Sequence, residues 1–164
     1  MKKPKLLLLC CLTATAFFSC SKKDAVPTTV VITVTDGRTN SASAGAIIKL
    51  YADSAGVVNN SPKYTKTADN AGKVKFDVAY LSEYYVIVQN GSAKNFYDGF
   101  IPTGIFKSQQ DINNHPIQTP PGVVGGIVLK DINHDGAIDR HDKVIAPGIF
   151  IIEKNTATVD IDVY

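Results

Sequence analysis

Residues 131–142 read Asp-Ile-Asn-His-Asp-Gly-Ala-Ile-Asp-Arg-His-Asp. Four carboxylates and one amide fall within twelve residues, opposed by a single arginine. Asp131, Asn133 and Asp135 occupy positions 1, 3 and 5 of a calcium-loop spacing, and Gly136 follows at position 6, where such a loop turns sharply. Ala137 at position 7 offers its backbone carbonyl, Asp139 at position 9 binds directly or through water, and Asp142 at position 12 closes the shell. Every one of these donors is a hard oxygen. A flexible loop of this kind suits Ca²⁺ better than Mg²⁺, which demands tight octahedral geometry and holds its water. At average residue usage the core pattern arises at a given start with a chance on the order of one in ten thousand, which sets it apart from an ordinary Asp-rich turn. Ca²⁺ is therefore the expected cofactor, with Asp131, Asn133, Asp135, Ala137, Asp139 and Asp142 as the metal set.

The spacing is that of an EF-hand loop with Asp in place of the usual Glu at the last position. It resembles one repeat of a dockerin, whose loops read Asp-x-Asn-x-Asp-Gly-x-Ile-Asn/Asp-x-x-Asp. The resemblance implies a metal site. It does not extend to cohesin docking, because dockerins carry two such repeats, each followed by a helix that forms the docking face. Here there is one loop, and Ala146-Pro147-Gly148 limits any following helix to about one turn. The expected role of the ion is structural, with Ile138 at position 8 facing the core and the loop pinned between residues 123–129 and the last strands.

Little else in the chain can do chemistry. There are three cysteines, Cys10, Cys11 and Cys20, so residues 21–164 can form neither a disulfide nor a cysteine-based zinc site. His134 and His141 stand at non-ligating loop positions, and His115 lies in a polar stretch; none is paired with a nucleophile. The two glutamates, Glu83 and Glu153, suggest no glycosidase pair. Gly-x-Ser-x-Gly, His-Glu-x-x-His and phosphate-loop patterns are missing. Seventeen Lys and Arg against fifteen Asp and Glu is too even a balance for a protein that neutralises nucleic-acid phosphates. A non-enzymatic protein with no nucleic-acid partner is expected.

The N-terminus bears on location. Lys2, Lys3 and Lys5 precede an apolar run from Leu6 to Phe18, too short for a membrane span of about 20 residues but suited to a signal peptide. Ser19-Cys20 resembles the bacterial lipobox, in which cleavage exposes a Cys that receives lipid, although Phe17 stands where that family usually has Leu. The resemblance implies lipid attachment at Cys20, anchoring to a membrane of the bacterial cell envelope, expected to be the outer one, and a signal peptide over residues 1–19. Removing the three leading lysines leaves 14 basic residues against 15 acidic ones and shifts the net charge from +2 to −1.

The elements that must position the loop read as strands. Val30, Ile32 and Val34 alternate with Val31, Thr33 and Thr35. Ala46, Ile48 and Leu50 alternate with Ile47, Lys49 and Tyr51, and Val74, Phe76 and Val78 with Lys73, Lys75 and Asp77. Period 2, β-branched residues and turns such as Asp69-Asn70-Ala71-Gly72 predict an antiparallel sandwich. No capped helix of ten or more residues is expected between 28 and 105. Val34-Thr35-Asp36-Gly37, Gly45 to Tyr51, Thr67 to Phe76 and Tyr84 to Val88 together resemble the transthyretin-like or carboxypeptidase-regulatory-like sandwiches, which are mostly non-catalytic accessory or binding domains. Two reactive branches of such folds are unsupported. The hydroxyisourate hydrolases end in Tyr-Arg-Gly-Ser, whereas this chain ends in Asp162-Val163-Tyr164. Isopeptide-forming pilin sandwiches need a Lys on the first strand, and Thr28 to Thr35 has none.

The expected fold is thus all-β, an antiparallel transthyretin- or Ig-like sandwich with an inserted EF-hand-type loop. The expected divisions are a signal peptide (1–19), a tether (20–27), the sandwich (28–107), a polar linker (108–122) and a calcium-loop module with final strands (123–164). Tyr80, Tyr84, Tyr85, Phe96, Tyr97 and Phe100 form a candidate aromatic cluster, read as core packing. The expected function is that of a calcium-binding envelope lipoprotein acting as a structural or binding module. The alternative is a degenerate dockerin-type or polysaccharide-uptake accessory subunit docking to a larger envelope complex. Its membrane contact is through the lipid, and a protein or glycan partner is left open. Cys20→Ser should abolish incorporation of labelled fatty acid and release the protein from the membrane fraction; labelling that survives the substitution refutes the anchor.

Overall fold

The computed structural model describes residues 26–115, 117–118 and 122–164. The signal peptide, Cys20 and the tether up to residue 25 lie outside the described residues. The chain begins with β1 (Thr28–Asp36) and β2 (Ser41–Ala42), then β3 (Ile47–Tyr51), helix α1 (Ser54–Val58), β4 (Tyr64–Thr67), β5 (Lys73–Val78), β6 (Glu83–Asn90) and β7 (Ala93–Lys94). It continues through β8 (Pro102–Ile105), helix α2 (Gln109–Asn114), β9 (Ile117–Gln118), β10 (Ile127–Leu129), β11 (Ala137–Ile138), a 3-10 turn at Arg140–Asp142, β12 (Gly148–Phe150) and β13 (Thr156–Val163).

Two sheets face one another. In the first, β1 lies between β13 and β5, with β2 on its C-terminal end. In the second the order is β12-β6-β3-β4, with β7 on the far end of β6. The core between them is the one the alternation predicts: Val30, Ile32, Val34, Ile48, Leu50, Phe76, Val86 and Val88 are buried. Each large apolar side chain removed from water in this way contributes roughly 1.5–3 kcal/mol. Both helices are short and neither buries a residue. They are surface turns, capped by Asp53 and Ser108 side chains that accept from Gly56 and Asp111 N–H groups. Among the described residues no helix is long and apolar enough to cross a membrane.

Two expectations need correction. The sandwich is not antiparallel throughout, because β1 pairs with β13 in parallel over eight consecutive residues, from Thr29 with Thr156 to Asp36 with Val163. Nor do residues 123–164 stand apart from the sandwich. β13 completes the first sheet, β12 pairs with β6 in the second, and Ile149, Ile151, Ile161 and Val163 enter the same core. The physical reason is that β1 has two hydrogen-bonding edges, and β5 satisfies only one of them. The aromatic residues also fail to form one cluster. Tyr84 is buried beside Tyr64, with ring centroids 6.0 Å apart, and Tyr64 meets Phe76 edge-on. Tyr80 is half exposed, Phe100 lies beneath the Lys143 ammonium, and Phe96 lines a groove on the outer face.

A buried amide closes a gap in the second sheet. β12 pairs with residues 83–85 of β6 and β7 with residues 89–90, so the backbone between them lacks a strand partner on that side. Asn95 supplies the missing partners. Its Oδ1 accepts from Val88 N–H at 2.8 Å, its Nδ2 donates to the Val86 carbonyl at 3.2 Å, and its own N–H donates to the Val88 carbonyl. Asn95→Ala leaves buried backbone groups unpaired and should destabilise the protein by about 1–3 kcal/mol in urea titration. A change below about 0.5 kcal/mol would show that water replaces the amide at no cost.

Candidate metal centre

The acidic loop is carried on an excursion from the sandwich that is tied at both ends to one segment. On the way in, β10 pairs with β8, and Lys130 N–H donates to the Ile101 carbonyl. On the way out, Val144 N–H donates to the Gly99 carbonyl, and the Lys143 ammonium lies 3.0 Å from Asp98. The polar stretch at 108–122 is not featureless. It holds α2, and β9 pairs with β11 so that Ile117 lies opposite Ala137 and Gln118 opposite Ile138. Ile138 is buried, at 3% exposure, as its loop position predicts.

Within the loop, each short acidic or amide side chain folds back on the backbone that follows it. Asp131 accepts from His134 N–H at 2.7 Å and, through its other oxygen, from Gly136 N–H at 2.9 Å. Asn133 Oδ1 accepts from Asp135 N–H, and Asp135 Oδ1 from Ala137 N–H. These successive turns are what Asp and Asn favour, since their side chains reach a backbone donor two or three residues on. The turns need two left-handed residues, His134 at φ 59° and Gly136 at φ 85°. Gly136 holds that conformation at no steric cost, whereas His134 is a non-glycine residue where few are found.

Asp142 closes the loop from its far end. It is 1% exposed, covered by the loop backbone around it. One oxygen accepts from Ile132 N–H at 2.8 Å and Asn133 N–H at 3.4 Å, and the other from Asp139 N–H at 2.9 Å. Asp139 reciprocates by accepting from His141 N–H and capping the 3-10 turn. The Asp139 N–H, with those of Ile132 and Asn133, holds the Asp142 carboxyl below its usual value against the opposing effect of burial. The His141 N–H and then its ring lower Asp139 in the same way, also against burial. His134 and His141 are exposed, and His141 Nδ1 lies 2.9 Å from Asp139.

All six residues of the sequence-derived metal set thus lie in one loop, with Gly136 at its turn. Their donor chemistry fits a hard divalent cation: carboxylates, an amide oxygen and the Ala137 carbonyl, with no sulfur or imidazole among them. Among the described residues, however, no three His, Cys, Asp or Glu side chains already converge as an ion-sized cluster. The carboxylates that would bind an ion are instead spent on backbone N–H groups. The loop-closing hydrogen bonds of Asp142 to residues 132 and 133 were missed by sequence reasoning, and only the position-12 spacing pointed to that residue.

No family model matches this chain, and no curated protein matches it. Three solved structures show partial likeness. Two are of BcpA, the major pilin subunit of Bacillus cereus: a variant at 15% identity and TM-score 0.40, and the subunit itself at 14% and 0.38. The third is a DUF3823 family protein from Bacteroides uniformis, at 13% identity and TM-score 0.34. Each alignment covers 84% of this chain, but only 30% of either pilin and 43% of the Bacteroides protein. At these scores none of the three informs the fold or the function of this chain.

The depressed carboxyls give the loop a definite response to acid. Because the fold favours their ionised forms, their contribution to stability is present above the ordinary aspartate value of 3.8 and is lost as pH falls through the lowered folded values. In metal-free buffer the amide signals of Ile132 and Asp139 should therefore hold steady from neutrality and move together only below about pH 3.8. Asp142→Asn, which replaces one accepting oxygen with a donor, should shift both at neutral pH. Amides that titrate separately, or near neutrality, contradict the assigned bonds.

Proposed function

We propose that this protein is a non-enzymatic, calcium-binding lipoprotein of the bacterial cell envelope. Lipid on Cys20 would hold it to the membrane, most simply the outer one, and Ca²⁺ bound by residues 131–142 would stabilise its fold. The observation that carries the reading is the loop itself. Asp131, Asn133 and Asp135 fold around a left-handed Gly136, while buried Asp142 ties the end of the loop to its beginning. A bound ion supplies positive charge that offsets the mutual repulsion of the four carboxylates. Asp131, Asn133, Asp135, Asp139 and Asp142 would hold it, with the Ala137 carbonyl. The carboxylates must re-aim from their present backbone partners to do so.

The role fits a structural ion rather than a switch. Both ends of the loop are tied to residues 98–101, and β11 is paired to β9, so the ion would lock an excursion already attached to the sandwich. The docking alternative finds less support. After the loop come one 3-10 turn and then β12, not the helix on which a dockerin-type face would be built.

The test is thermal unfolding of the purified protein in EDTA and across a Ca²⁺ titration. An extracellular-type site with Kd around 10⁻⁴ to 10⁻³ M requires millimolar concentrations. Ca²⁺ at 100 times Kd should add about 2.7 kcal/mol of stability. Asp131→Ala combined with Asp135→Ala should remove that gain. A melting curve indifferent to Ca²⁺ in the parent protein overturns the proposal.

A further inference from the structure

The outer face of the second sheet carries a groove that belongs neither to the core nor to the metal loop. We infer that it is a binding site for an acidic oligosaccharide, one that contains uronic acid. This inference rests on neither the lipid anchor nor calcium.

The groove has a volume of about 610 Å³, within the range of about 300–1,000 Å³ in which small-ligand sites fall. Its floor includes Lys49 and Tyr51 of β3 and Gln89 of β6. One wall is Asn60, just after α1, and the other includes Lys94 and Phe96 after the β6–β7 turn. No acidic residue lines it. Among the described residues neither Lys49 nor Lys94 has a carboxylate partner within 4.0 Å. Two ammoniums in a concave wall without opposing acids make a local positive field, and their complement is a carboxylate or another anion.

The amides narrow the ligand further. Asn60 Oδ1 accepts from Tyr51 Oη at 3.1 Å and Lys49 Nζ at 3.0 Å, which orients its NH₂ as a donor. Asn90, also in the lining, uses its Nδ2 on Ser43 Oγ and the Ala44 carbonyl, and Gln89 uses its Nε2 on the Gly91 carbonyl. Those two residues therefore turn acceptor oxygens outward. A surface offering donors, acceptors and positive charge together matches hydroxyls that both donate and accept, alongside a carboxylate. Phe96 adds an apolar ring against which the C–H face of a sugar can lie. Inorganic phosphate would use the donors but leave the acceptors unmatched. An extended acidic peptide normally docks by adding to a strand edge. β3 and β6 offer no edge here, since they pair with each other and with outer neighbours. Recognition in this groove must run through side chains.

The test is titration of the purified protein, in EDTA, with trigalacturonate, followed by amide chemical shifts and calorimetry. EDTA removes any calcium-bridged uronate, so the result is separate from the fate of the metal loop. Saturable shifts at Lys49, Gln89 and Lys94 are expected, weakening with added salt. Maltotriose, which lacks carboxylates, should bind at least about tenfold more weakly, and Lys94→Gln and Phe96→Ala should each cost about tenfold in Kd with unchanged melting temperature. The absence of saturable shifts in the groove overturns the proposal. So does equal binding of triglutamate or inorganic phosphate, or undiminished binding by the two folded variants. Should either variant fail to melt cooperatively, the ligand comparison on the parent protein decides alone.

Discussion

The two-sided pairing of β1 is the constraint on which the rest of this molecule depends. One edge of the strand is taken by β5 in antiparallel register and the other by β13 in parallel register. Val30, Ile32 and Val34 are completely buried as a result, and a slip of one residue would turn Val31, Thr33 and Thr35 inward instead. The ends of the pairing are set by close approach. Gly37 N–H donates to the Val163 carbonyl, and the Tyr164 ring lies where a Cβ on Gly37 would be. Gly72, at φ 72°, accepts from Val34 N–H and leaves no room for a side chain against the Val34 carbonyl. Everything between β5 and β13 must therefore leave the first sheet and return to it.

That return path gives the acidic loop its setting. The chain passes through the second sheet, then through the 98–130 excursion, before reaching the loop, and it re-enters the sandwich at β12. The excursion has an interior of its own. Phe106 is buried, the Gly122 backbone lies against its ring, and His115 meets it edge-on with ring centroids 5.5 Å apart. The loop is thus mounted on a small packed unit rather than on a bare connection. Its backbone N–H groups face its own carboxylates, so part of the charge concentrated there is already met by dipoles of the chain.

Much of the sandwich was legible in the sequence because alternation reports which face of a strand is wet. The buried sets of β1, β3 and β5 are those that period 2 selects. Alternation does not report partners, however, and nothing in Thr156 to Val163 says that it lies parallel to Thr28–Asp36 rather than antiparallel to a neighbour. The boundary drawn before residue 123 failed for that reason: composition marked a polar stretch, while pairing ran across it. Asn95 was invisible because a lone amide after a turn reads as loop, and its burial follows from a gap between β12 and β7 that only the folded sheet defines. The aromatic residues misled in the opposite direction, since nearness in sequence placed six rings together where the sheets separate them. In the loop, spacing located each acidic residue and the turn, but not which oxygens engage the backbone.

The parallel register of β1 and β13 also has a consequence for how the molecule comes to be folded. Thr29 and Thr156 sit side by side although almost the entire described chain separates them. Closing so long a loop costs entropy before any of the pairing is rewarded, and topologies dominated by such contacts fold slowly. A chain made and delivered from its N-terminus presents β1 first and its parallel partner last. Through that interval β5 can cover only one edge of β1, and the other remains an open strand edge, rich in valine and threonine, available to any extended segment nearby. The hazard lies in the order of the strands along the chain, and it ends only when the last eight-residue strand has arrived.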